Sequence, residues 1–419
     1  MSSDCDVIIV GAGAAGLAAA KELTRQGLTY TVIEGSHRIG GRAYSEEIAP
    51  GAWFDLGCAW LVGGAVNPFV PIADALDIEL GKDKNTLFEL DNHRFYRNGE
   101  PLNEQQRAAC VRYYETSDEA VSAAADDERD VAISDVIDIE HEYATPHVGA
   151  LATSWGMDVD LVSTTDSASS VGELGYPVLN GYGNLVAAWG ADVPVSLNTR
   201  AERIDWSGPG VTVETPKGTI RGRAALCTVS TGVLASGEIT FAPGLPDWKS
   251  EAIHNLPMGT ENKMGVHFEK DVFGPDGRGH YTSWHDDGDM AKVHACVMGN
   301  NIASVFVGGR FGVWLEKQGQ QAGHDFAVDR CADIFGNDIR KHVTRSIVTA
   351  WESEPWTRGS WACARPGHGH QRTNLKRAID ERLFFAGEAT VYGGQGTCDG
   401  AFVSGIETAQ VIAATLGVN

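Results

Sequence analysis

The sequence predicts an α/β fold built on a parallel sheet, with a second part of mixed sheet and helices. Two observations predict it. Near the N-terminus a short apolar run passes through a glycine-rich turn into a helix and then a second short strand. Near the C-terminus another apolar strand leads into a glycine-rich loop and a last helix. The 419 residues allow two or three domains at the usual domain size.

Cys5–Val10 (CDVIIV) is apolar and rich in β-branched residues, which suits a buried parallel strand. It enters Gly11-Ala12-Gly13-Ala14-Ala15-Gly16, and strong helix formers then run from Ala14 to Gln26, stopped by Gly27. Tyr30 to Ile33 reads as the second strand, followed by Glu34 and Gly35. This is a complete β-α-β unit with G-x-G-x-x-G in its turn. Gly11 permits the tight turn, Gly13 lets backbone approach a pyrophosphate, and Gly16 lets helix and strand pack closely. The free N–H groups of the first helical turn, at Ala14 and Ala15, face the phosphates. Glu34 stands where a carboxylate accepts from ribose hydroxyls. A Rossmann-type dinucleotide-binding domain follows.

Composition narrows the partners. Hydrophobic residues are 43% and charged residues 21%, the balance of an ordinary globular protein rather than a disordered or fibrous one. The formal charge of −23 lacks the basic footprint that nucleic acid or an anionic membrane surface requires. Eight cysteines without a C-x-x-C pair point to reduced thiols in a cytoplasm rather than zinc or disulfides. No run of about 18 apolar residues exists to span a membrane, and Met1 to Asp6 carry no basic or apolar leader signal.

Arg38-Ile39-Gly40-Gly41-Arg42 follows the second strand and offers a second close backbone approach, at Gly41, plus guanidinium groups such as Arg42 for phosphate. Here the sequence resembles the flavin-containing amine oxidases, whose FAD-binding start carries this glycine pair and arginine. The resemblance returns at Phe385-Ala386-Gly387-Glu388-Ala389-Thr390, similar to the family's C-terminal FAD motif. It implies that Gly387 and Glu388 contact FAD, with Glu388 on the ribityl chain. The loop Val391 to Cys398 then leads to Asp399 as a candidate N-cap and a helix over Gly400 to Leu416.

Between the ends, Asp55-Leu56-Gly57-Cys58-Ala59-Trp60 resembles the family segment that passes under the flavin into the substrate cavity. That assigns Gly57 to the cofactor and Trp60 to the substrate. Val195 to Asp205, Val211 to Glu214 and Thr219 to Ala224 read as short strands, with Ala201 where the family's backbone meets the adenine. Lys263, at the start of a strand over Met264 to Phe268, would by position alone be a solvated surface residue. The resemblance instead makes it the lysine linked through water to flavin N5. In Trp351–Trp361 (WESEPWTRGSW) it places Trp351 near that water and Trp361 as one wall of an aromatic cage. The opposite wall, often Tyr, is Thr397 here, which also falls at the cofactor. Ser360 stands where some members carry a flavin-linking cysteine, which implies non-covalent FAD.

Other features read as structure. Asp126–Asp130 is a solvated helix face or turn, His368 and His370 lack metal partners at ligand spacing, and Asp286–Asp289 lacks the spacing of a calcium loop. Glu104 to Ala125 has the pattern of a helix in a substrate domain.

The resemblance implies an FAD-dependent amine oxidase. Residues 1–75, 176–258 and 359–419 would form the FAD-binding domain, and 76–175 and 259–358 the substrate-binding domain. The reaction is oxidation of a C–N bond to an imine by hydride transfer to FAD, followed by hydrolysis. No general base is identified, and none is required if the amine binds neutral. Val62, where polyamine oxidases often carry Glu or His, counts against a polyamine. A bulky or cyclic secondary amine, or a primary amine, fits the broken cage better. An L-amino acid oxidase would need a buried arginine, for which Arg94 and Arg97 are candidates. A desaturase, disfavoured by Lys263 with Trp351, and a non-catalytic flavin-bound interaction protein are the alternatives of another kind. The electron acceptor, O2 or a carrier protein, is not legible, and a homodimer is left open.

Overall fold

The computed structural model describes residues 3–81, 90–170, 175–296 and 299–418. Among these, two large sheets carry the architecture. The first has eight strands, in the order Thr240–Ala242, Arg203–Asp205, Val211–Thr215, Gly218–Cys227, Cys5–Val10, Tyr30–Ile33 and Val195–Ser196, with Leu383–Phe385 also paired to Gly218–Cys227. Cys5–Val10 lies between parallel neighbours, Ile9 opposite both Leu226 and Val32. Its residues alternate between two cores: Val7 and Ile9 in one, Ile8 and Val10 in the other. Burial on both faces is why the run contains no polar residue between Val7 and Val10.

The helix Ala14–Arg25 packs against the C-terminal helix Cys398–Thr415 so closely that a Cβ on Gly405 would lie 2.1 Å from the Ala15 carbonyl oxygen. The two ends of the chain are thereby joined over one face of this sheet.

The second sheet has seven strands, in the order Val343–Val348, Glu261–Phe268, Ile302–Gly308, Met290–Ala295, Gly279–Trp284, Arg94–Arg97 and Glu100–Pro101. One face is apolar. Met264, Val266, Val293, Val305 and Val307 pack there with Ala327 and Cys331 of the helix Gln320–Phe335. Period-two alternation sends Glu261, Lys263, Lys292, His294, His280 and Phe306 to the opposite face. The helix Glu104–Asp126 starts at a capping box, Asn103 accepting from the Gln106 N–H while the Gln106 side chain accepts from the Asn103 N–H.

Four expectations shift. Thr219–Ala224 is not a separate short strand but part of a longer one, Gly218–Cys227. Its first half pairs antiparallel with Val211–Thr215, and its second half is held between two parallel strands. Val195 to Asp205 is not continuous strand, because Asn198 turns left-handed at φ 49° and separates Val195–Ser196 from Arg203–Asp205. The last helix starts at Cys398, and its N-cap is Thr397 rather than Asp399. The Thr397 hydroxyl accepts the Gly400 N–H at 2.9 Å, a bond Asp399 cannot make from inside the first turn. Lys263 lies inside its strand rather than before it, since pairing already begins at Glu261 opposite Gly308. Among the described residues no helix is long and apolar enough to cross a membrane.

Candidate active site

A cavity of about 1640 Å³ runs between the two sheets. That exceeds the roughly 300–1,000 Å³ typical of one small-molecule pocket and leaves room for a dinucleotide and a substrate together.

At one end it is lined by Gly11, Gly13, Ala14, Ala15, Glu34, Gly35, Gly41, Arg42 and Ala201. Gly11 has φ +109°, and a Cβ on Gly16 would stand 2.0 Å from the Gly11 carbonyl oxygen, so both glycines are required by shape. Gly13 caps the helix without any side-chain bond, and a Cβ there meets nothing within 4 Å. The first-turn amides therefore open onto the cavity, as an anion such as a pyrophosphate requires. Gly41, at φ +59°, packs so that its Cβ would lie 3.3 Å from the Gly13 Cα. The Glu34 carboxylate accepts from the Ala12 and Ser36 N–H groups, each at 2.8 Å. Both arginines of the glycine-pair loop are tied within the protein. Arg38 donates to the Gly41 carbonyl at 2.7 Å, and Arg42 to Glu388 and to the Ser360 carbonyl, each at 2.8 Å. Trp356 lies at this end too, its ring so close to Gly35 that a Cβ there would sit 2.4 Å away. A three-tryptophan segment does not reveal that its middle member faces a different site from the other two.

Glu388, 4% exposed, gathers three segments. Besides Arg42, it accepts the Ala362 and Gly396 N–H groups, each at 3.1 Å. Gly387 lines the cavity beside it at φ +137°. Gly57 is confined by shape, since its Cβ would fall 1.7 Å from the Arg42 carbonyl oxygen.

The other end brings together Trp60, Lys263, Trp351, Trp361 and Thr397. The Lys263 ammonium donates to the Gly57 carbonyl and lies 5.5 Å from the Phe306 ring centre. The buried Trp351 donates from Nε1 to the Leu56 carbonyl at 3.1 Å. Trp361 pairs with Gly259 on a short antiparallel ladder, and its ring would meet a Cβ on Gly396 at 3.4 Å. Ring and loop 394–397 are thus neighbours. The Thr397 hydroxyl serves as the helix cap described above.

Arg94 and Arg97 do not line the cavity: Arg94 donates to the Tyr281 hydroxyl at 2.6 Å, and Arg97 pairs with Asp286 and Glu142. Neither serves as an interior carboxylate anchor. His368 and His370 have ring centres 6.2 Å apart, and among the described residues no cluster suited to a metal occurs.

Sequence reading missed a polar group on the cavity face of the second sheet. Lys263 and Lys292 are both register partners of Phe306, on the strands either side of it. The Lys292 ammonium donates to Ser154 at 2.9 Å, and burial pushes its pKa down to about 8. The His294 and His280 ring centres lie 3.8 Å apart with their planes tilted by 52°, and burial holds both well below the usual histidine pKa. Burial pushes the Glu261 carboxyl up to about 7, opposed by the charges of Lys263 and Lys292. Asp118, on the helix Glu104–Asp126, stands 3.6 Å from His147. The signal was present: Met290–Ala295 (MAKVHA) and Glu261–Phe268 (ENKMGVHF) place charged or imidazole groups at alternate positions of apolar strands.

A parallel-sheet glycine cradle facing a substrate chamber across one cavity defines a dinucleotide-dependent oxidoreductase. Residues 14–413 match the family model of flavin-containing amine oxidoreductases, and the chain belongs to that family. It is 28% identical to a polyamine oxidase 4 of Oryza sativa subsp. japonica, across 97% of this chain and 88% of the relative. It is 30% identical to the protein FLOWERING LOCUS D of Arabidopsis thaliana, across 97% of this chain but only 55% of the relative. Among solved structures, a cyclohexylamine oxidase from Brevibacterium oxydans shares the fold with a TM-score of 0.81 at 22% identity, covering 99% of both chains. A putrescine oxidase variant superposes with a TM-score of 0.77 at 19% identity, over 98% of this chain and 99% of that one. The protein is an FAD-dependent oxidoreductase acting on amines.

Proposed function

We propose that the cavity oxidises a primary or secondary amine carrying a bulky or cyclic apolar group. The observation that carries this reading is the asymmetric cage: Trp361 beside the loop 394–397, with the small, cap-bound Thr397 where a second ring would narrow the chamber. FAD, held by Gly11, Gly13, Gly41, Arg42, Glu34 and Glu388, supplies the two-electron acceptor. Trp361 and Trp60 hold the substrate's apolar body and orient its α-carbon, an effect worth several kcal/mol of barrier. Lys263, fixed on the Gly57 carbonyl, holds a proton-donating group at the substrate end of the cavity. Trp351 locks that carbonyl segment through Leu56.

The division proposed is residues 1–75, 176–258 and 359–419 for the cofactor and 76–175 and 259–358 for the substrate. O2 is the proposed final acceptor and a cytoplasm the proposed compartment.

A polyamine substrate is the second reading. Val62 leaves the usual acidic position apolar, but the carboxylates of Asp118 and Glu261 line the same cavity and would attract a second cationic centre. An anaerobic panel of cyclic amines, linear monoamines, polyamines and L-amino acids, scored by loss of flavin absorbance, separates the readings. Fast bleaching by cyclic amines supports the first, and bleaching by polyamines alone supports the second.

A further inference from the structure

An aliphatic amine reaches the protein as an ammonium ion, since its pKa is near the ~10.4 of a lysine side chain. Loss of hydride from the carbon beside nitrogen draws on the nitrogen lone pair, so the proton must leave first. None of the residues carried over from the family supplies an acceptor.

Glu261 is placed to supply one. It precedes Lys263 by two positions on the same strand, so both side chains project to the cavity face. Its register partner is Gly308, which has no side chain to cover it. Its backbone is clamped to the residue before Trp361: the Glu261 N–H donates to the Ser360 hydroxyl at 2.8 Å, and that hydroxyl donates to the Glu261 carbonyl at 2.9 Å. The residue is thus placed between the contact to Ser360, next to Trp361, and Lys263 two positions along its strand. Among the described residues its carboxylate makes no hydrogen bond and lies in no ion pair within 4.0 Å, although Lys263 and Lys292 both act on it electrostatically. A half-buried carboxylate that faces the cavity with no bonded partner is free to take one from whatever occupies the chamber.

We propose that Glu261 is the proton acceptor for the incoming substrate, a reading that rests on the amine-oxidising function above. The step is R–NH3⁺ plus Glu261–COO⁻ giving R–NH2 plus Glu261–COOH, and the carboxyl returns its proton to water between turnovers. Burial favours the two neutral products over the two ions. The surrounding charges act in the same direction on the amine. Lys263 on the same strand and Lys292 two strands away both repel an ammonium, while His294 and His280 are held neutral by burial. Asp118, beside His147 on the helices facing the sheet, is another acid lining the cavity.

The test compares the holoenzyme with Glu261→Gln and Glu261→Asp, using a primary amine that the parent oxidises. The limiting rate of anaerobic flavin reduction is measured from neutral pH to the amine's own pKa. At pH 7 only about one free amine molecule in 2,500 is neutral. The Gln variant should therefore be at least about ten-fold slower there and converge on the parent at high pH, with Asp intermediate. An equal loss at every pH, or no loss at pH 7, overturns the proposal. If the Gln variant fails to hold flavin, the Asp variant carries the same comparison. A second readout needs no oxidation: calorimetric binding of tert-butylamine, which has no α-hydrogen, in two buffers of different ionisation heat. The parent should release well under one proton to buffer and the Gln variant close to one; equal release overturns the proposal. If no amine reduces the parent's flavin, the functional reading fails, while the calorimetric comparison still decides the role of Glu261.

Discussion

Arg42 and Glu388 lie 346 residues apart in sequence and meet at 2.8 Å, joining the glycine-pair loop to the C-terminal flavin motif. Glu388 is almost wholly buried, and its other bonds hold Ala362 and Gly396. Breaking a buried ion pair from one side costs about 3–5 kcal/mol, less where one partner is partly exposed as Arg42 is. Glu388→Ala should therefore lower the melting temperature and the flavin content together. Thermal melting with and without added FAD checks this, and an unchanged flavin content would place Glu388 outside the cofactor site.

Glu34 supports the cradle from the opposite side, accepting the Ala12 and Ser36 amides. Glu34→Ala removes charge-assisted bonds worth about 1.5–3 kcal/mol, roughly ten- to over a hundred-fold in affinity. Flavin retention on dilution, followed by fluorescence, should fall accordingly.

The flavin should come free on acid precipitation. Ser360, where some relatives carry a linking cysteine, spends its hydroxyl on the Glu261 backbone. Colour in the supernatant is the expected result, and flavin in the washed pellet would contradict it.

The flavin end was legible because its chemistry is backbone chemistry. Gly11, Gly16 and Gly57 are positions where a Cβ cannot fit, and such constraints leave a fixed residue type in the sequence. The substrate chamber was less legible. Lys263 and Lys292 come to flank Phe306 on one face only because the strand carrying Phe306, which follows both in sequence, lies between theirs. Non-consecutive strand order of this kind leaves no local trace. Lys292 and His294 also resemble the polar positions of a half-solvated strand until the opposite surface proves to be a cavity wall. Thr397 was read for its position alone, whereas its hydroxyl also starts the last helix.

Lys263→Met should keep the fold and the flavin but slow reduction or reoxidation. The ammonium is buried against the Gly57 carbonyl, so methionine of similar length fills the space without the charge. Stopped-flow rates for the two half-reactions, measured separately, check this. Parental rates in both would reduce Lys263 to a structural contact.

The most direct test concerns Trp361, the cage wall. Two quantities are measured on one preparation of Trp361→Ala: the melting temperature, and the limiting rate of anaerobic flavin reduction at saturating cyclic amine. A cavity-lining ring should leave the melting temperature near the parent's and lower the limiting rate, because orientation of the α-carbon is lost. A core tryptophan would instead cost about 3–5 kcal/mol of stability. A large fall in melting temperature with an unchanged limiting rate would contradict the placement of amine oxidation at this end of the cavity.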